Sequence, residues 1–184
     1  MSDVNEPTKT AGATETTLSV LLEEASGPVS PRYQYTLRVA LEPKADGAAA
    51  LSVEATGAHG LGDEDASYQG TMSAADVATL VGELDAMAAF DASRDFLGPE
   101  GRNRVGVSFN ALTLARGDRK ARIDYFLSSL KRDDAEPQRR VVARIKELAK
   151  RAFVKALREA RRGTDADAEA GSAPPRAAML RRHA

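Results

Sequence analysis

Apolar and polar positions follow a period of two through the first part of the chain. Leu18, Val20 and Leu22 share one phase, as the inward residues of a half-buried strand do. The stretch "EASGPVSPR" interrupts that phase with two prolines and a glycine, which reads as a loop. In "YQYTLRVAL" the alternation returns, with Tyr35, Leu37, Val39 and Leu41 on one face. "EPKADG" turns the chain, "AALSVEA" places Leu51 and Val53 inward, "GAHGLGDEDA" is a loop, and "SYQGTM" is a short strand.

The period then changes. Val77, Leu80, Val81, Leu84, Met87 and Phe90 recur at helical spacing. Ser73 precedes them as a helix cap, with Asp76 three residues on in a variant of the capping box. Met72 and Val77 flank the cap and are placed to form a hydrophobic staple.

"DASRDFLGPEGRN" is a loop, after which "RVGVSF" puts Val105, Val107 and Phe109 in one phase. Leu112 and Leu114 continue in the other phase, so the pattern predicts a bulge or tight turn near Asn110. "LARGDRKARIDYF" predicts a hairpin turning at Gly117-Asp118, with Ala121, Ile123 and Tyr125 facing in. A long helical pattern over 137–162 closes the folded part, with Pro137 in its first turn.

The predicted order is β-β-β-β-α-β-β-α. Short connections favour an antiparallel sheet of about five to six strands with two helices on one face, an α+β layer. Residues 1–15 and 163–184 are polar and read as disordered tails, leaving one domain over 16–162.

Composition narrows the chemistry. The chain has no cysteine and only two histidines, His59 and His183, which argues against thiolate zinc sites, a cysteine nucleophile and a histidine triad. The sequence predicts no catalytic residues, no metal site and no cofactor. No apolar run approaches the roughly 20 residues that span a bilayer. The opening "MSDVNEPTKTAGATETT" lacks a basic n-region and an apolar h-region, so a cytoplasmic location is expected. Arginine outnumbers lysine 19 to 7 and alanine is abundant, a composition expected of a GC-rich bacterial genome.

A net charge of −1 hides a division: residues 1–100 carry −12 and residues 101–184 carry +11. Such a split invites docking of one half on the other, or a partner for one of them. The closing helix holds ten bases and two acids over 137–162. Val141, Ile145, Leu148, Ala152 and Ala156 form its apolar stripe. Beside the stripe, Arg140, Arg144, Arg151, Lys155, Arg158 and Arg162 fall within about 60° of one another on a helical wheel. Lys146, Arg139, Lys150 and Arg161 lie on the other side.

Two further motifs read as local structure. Asp63, Glu64 and Asp65 are adjacent acids without EF-hand spacing, a solvated loop. Arg116-Gly117-Asp118 matches a cell-adhesion tripeptide but reads as a hairpin turn. The glycines of 57–62 and 98–101 match neither a P-loop nor a dinucleotide fingerprint.

The step "GTMSAADVATLVGELDAMAAFD", the hairpin "VGVSFNALTLARGDRKARIDYF" and the Pro-led last helix together resemble emfourin-like bacterial protease-inhibitor domains and related domains of unknown function. The resemblance covers about 105 residues, roughly 50–160, and lies in pattern and order. It implies the same fold and a non-enzymatic, protein-binding role of the protease-inhibitor kind. The expected partner is another protein with an acidic surface, met by the six cations. The alternative is nucleic acid or an anionic surface bound through the same helix. It is disfavoured because aromatics do not interleave with the bases and the pI is about 6.2.

Overall fold

A computed structural model of the chain describes residues 17–27, 29, 34–57, 66–99 and 110–170. Four strands come first: β1 (Leu18–Ala25), β2 (Tyr35–Pro43), β3 (Ala49–Gly57) and β4 (Ala66–Met72). Helix α1 (Ala74–Ala86) follows, then a 3-10 turn at Ala89–Asp91 and the two-residue strand β5 (Arg94–Asp95). Strands β6 (Asn110–Arg116) and β7 (Arg119–Tyr125) form a hairpin, and helix α2 (Glu136–Ala170) ends the described chain.

The strands form one sheet in the order β4-β3-β2-β1-β6-β7-β5. All neighbours are antiparallel except β5, which runs parallel to β7. The architecture is the α+β layer that the alternation predicts. It has one strand more than the upper count, because β5 is too short to carry any periodicity and exists only through its pairing with Ile123 and Asp124. The predicted strand over 104–109, the loop Asp63–Asp65 and the tail 1–15 lie outside the described residues.

Register puts the apolar phases on one face. Val20 lies between Leu41 and Leu114, and Leu22 between Val39 and Leu112. Val53 faces Val39, and Ile123 faces Leu112. All of these side chains are buried. Gly117 turns the β6–β7 hairpin with φ of 54°, a conformation that glycine adopts without steric cost. Gly57 closes β3 with φ of 65°, where a Cβ would stand 2.0 Å from the Gln34 carbonyl oxygen.

Ser73 caps α1 as its sequence predicts. Its Oγ accepts from the Asp76 backbone N–H at 3.2 Å and donates to Asp76 Oδ2 at 2.7 Å. Val77, Leu80, Val81 and Leu84 are buried, with Met72 packed at the edge of the same cluster. Thirteen residues make a helix about 20 Å long, close to the four strand spacings, about 19 Å, from β4 to β6. α1 therefore starts beside β4 and ends where Asp85 pairs with Arg116 and Arg119 of the β6–β7 hairpin.

α2 packs Val141, Val142, Ile145, Ala149, Ala152 and Phe153 into the same core, with Leu148 half-buried. Its apolar arc is turned slightly from the predicted stripe, because Val142, Ala149 and Phe153 share the burial. Gln138 Nε2 donates to the Ala92 carbonyl at 3.1 Å and fastens the first turn. The backbone stays helical through Ala170, past the predicted end at Arg162; apart from Gly163, no glycine or proline interrupts the sequence before Gly171. The chain divides into two compact units within this helix, one ending at Phe153 and one beginning at Val154.

Candidate functional site

The six predicted cations of α2 have different environments. Arg140 is exposed. Arg144 is only 19% exposed in its side chain and turns to α1, where its Nε donates to Glu83 Oε2 at 2.7 Å. Arg151 is exposed and meets Glu147 one turn earlier at 3.0 Å. Lys155 and Arg158, in the second unit, are exposed, and the side chain of Arg162 lies outside the described residues. Among the described residues, Arg140, Lys155 and Arg158 enter no ion pair.

The charge division of the sequence is thus answered in part inside the fold. Arg144 meets Glu83, Arg116 and Arg119 meet Asp85, and Lys146 meets Glu24. Each pair joins the basic half of the chain to the acidic half. The helix face splits into cations that hold α2 on the domain and cations that remain in water.

Lys146 belongs to a buried polar group that periodicity does not single out. Glu24 is 3% exposed on the helix-covered face, at the end of the row Leu18, Val20, Leu22. Its Oε2 accepts from Lys146 Nζ at 2.6 Å, and its Oε1 accepts from the Tyr125 hydroxyl. Tyr125 is fully buried. Burial, then the Glu24 charge, holds its phenol well above the usual range. Tyr35 is pushed up to about 12 by burial and, second, by Glu24. Asn110, opposite Tyr125, is also buried, and its Oδ1 accepts from the Ala25 backbone N–H at 3.0 Å. One signal could have found Glu24 in the sequence: an acid standing in phase with three apolar residues of a strand.

Both Glu24 carboxylate oxygens are occupied, whereas the buried Asn110 Nδ2 has no hydrogen-bond partner among the described residues. The chemistry of the group is that of a structural anchor for α2. In the turn just before α2, Asp134 is held below the ordinary carboxylate range by hydrogen bonds from Arg94, then Arg132.

Described residues of the first unit line two open depressions. One, about 550 Å³, is lined by Met87, Ala88, Asp91, Pro137 and Arg140 among others. The second, about 370 Å³, lies at the end of β1 and β2 beside Ser26, Tyr35 and Thr56. Among the described residues, no three acidic or histidine side chains are grouped to hold a metal ion, and no helix is long and apolar enough to cross a membrane. No known family's sequence model matches the chain, and no curated protein matches it.

Proposed function

We propose that this chain is a non-enzymatic protein-binding module that meets an acidic protein surface with the solvated cations of α2. The observation that carries this reading is the division among those cations. Arg144 and Lys146 are used by the fold, whereas Arg140, Arg151, Lys155 and Arg158 stand in water. An exposed lysine or arginine adds little to folding stability. Several on one helix create a positive potential that steers an acidic partner and favours its bound state. The resemblance to emfourin-like domains supports a protease as that partner, and the protein acts on it as an inhibitor.

The test is inhibition of protealysin-type metalloproteases by the intact chain and by the variant Arg140→Glu/Arg151→Glu/Lys155→Glu/Arg158→Glu. The expected result is inhibition by the wild type that weakens as salt rises, and its loss in the variant at unchanged melting temperature. Equal activity of the two proteins would overturn the assignment of these residues. Tight binding of duplex DNA near physiological salt, with a linear fall of log affinity against log salt, would move the same surface to nucleic acid.

A further inference from the structure

The two edges of the sheet are built differently. At one edge β5 is two residues long, both charged, and Arg94 is tied to Asp134 at 2.6 Å. A short, charged edge strand is a common protection against unwanted strand pairing. At the other edge β4 runs for seven residues, Ala66–Met72, with no charge and no proline. Among the described residues nothing pairs with its outer side. About 24 Å of strand therefore presents backbone N–H and C=O groups to the outside.

We propose that the outer edge of β4 pairs with β4 of a second copy of this chain, antiparallel, about a two-fold axis at Gln69. The charges beside the strand favour a second copy as the occupant. A centre at Gln69 sets Ser67 opposite the partner's Thr71, on the helix-free face of the sheet. Ser67 faces Glu54 across β3, and Lys44 Nζ donates to Thr71 Oγ1 at 2.8 Å. The row across the joint then runs Glu54, Ser67, the partner's Thr71, the partner's Lys44. It brings an acid of one copy towards a base of the other, and symmetry repeats the arrangement. Glu54 is exposed and, among the described residues, has no ion pair of its own.

On the helix-covered face the same register sets Tyr68 opposite the partner's Gly70. The Tyr68 ring already lies along its own strand over Gly70, where a Cβ would stand 2.2 Å from the hydroxyl oxygen. The two rings come side by side, a favourable cross-strand aromatic pair. No charged residue lies within β4 itself.

Sedimentation equilibrium of the full chain tests the joint. The wild type is expected at twice 19.6 kDa. Lys44→Glu and Glu54→Lys should each weaken the dimer about tenfold, and the double exchange should restore it, as complementary charges across an interface do. Gln69→Lys sets two lysines against each other on the axis and should weaken it comparably. All three positions are exposed, and unchanged melting temperatures check that the variants fold. A monomer at about 1 mM, a dimer indifferent to Gln69→Lys, or a double exchange that restores nothing would each overturn the proposal.

Discussion

Lys146 Nζ lies 2.6 Å from Glu24 Oε2, joining the end of β1 to the middle of α2 across 122 residues of sequence. The glutamate side chain is wholly buried, and the lysine reaches it from the surface with 31% of its side chain exposed. A carboxylate taken out of water costs several kcal/mol unless charge and hydrogen bonds compensate it. Here Lys146 supplies the charge and Tyr125 the second donor.

Removal of one member should therefore cost more than removal of both. Lys146→Met leaves Glu24 buried with Tyr125 as its remaining donor, and a loss of about 2–4 kcal/mol is expected. Glu24→Gln keeps the shape without the charge and should cost about 1–2 kcal/mol. The double variant Glu24→Gln/Lys146→Met should recover much of the Lys146→Met loss, because no buried charge is left unpaired. Urea unfolding of the four proteins gives the coupling directly; additive losses would mean that the pair does not act as a unit.

The two shifted phenols predict an alkaline limit. Unfolded tyrosines ionise near pH 10, while Tyr35 holds its proton to about 12 and Tyr125 is raised by burial and Glu24. Between those values the unfolded state has released protons that the folded state keeps, so stability falls as pH rises. The contribution is complete below about pH 10 and is lost on the way to 12. The unfolding midpoint should be flat at neutral pH and drop above about 10. Ultraviolet titration of the folded chain should show at least two of its four tyrosines ionising late. Ionisation of all four near the ordinary value would contradict the buried placement.

Most of the sheet was legible because one face is apolar and the period is two: Tyr35 to Leu41, Leu51 with Val53, and Ala121 to Tyr125 all face where the alternation puts them. The cap at Ser73 was legible because capping is local chemistry within four residues. β5 was not, since two residues have no period and the strand depends on a neighbour distant in sequence. The row of six cations along one side of α2 was legible, but their division was not. Arg144 and Arg151 look alike on a helical wheel. Glu83 lies beside only one of them, through the packing of α1. Glu24 shows the same limit, because its partners come from β7 and α2.

Two substitutions in α1 separate local from tertiary stabilisation. Ser73→Ala removes the acceptor for the Asp76 N–H and should cost about 1 kcal/mol. Leu80→Ala empties a position that is 1% exposed and should cost about 2–5 kcal/mol. Thermal or urea unfolding measures both. A harmless Leu80→Ala would contradict the packing of α1 on the sheet.

The last prediction concerns Arg144 and Arg151, seven residues apart on one helix. Arg144 packs against α1 with its charge on Glu83, and its Nη1 is buried without a hydrogen-bond partner. Arg144→Glu would set a second carboxylate beside Glu83 in a poorly hydrated place, with an expected loss of about 1–3 kcal/mol. Arg151 is 69% exposed and meets only a neighbouring turn of its own helix. Arg151→Glu should change stability by no more than about 0.5 kcal/mol. For partner binding the expectation reverses: Arg151→Glu weakens the complex at full stability, while Arg144→Ala affects folding before it affects binding. Melting curves and partner affinity measured on the same preparations distinguish the two roles. If Arg144→Glu folds as well as Arg151→Glu, its pairing with Glu83 does not hold in solution, and Arg144 returns to the cations available to a partner.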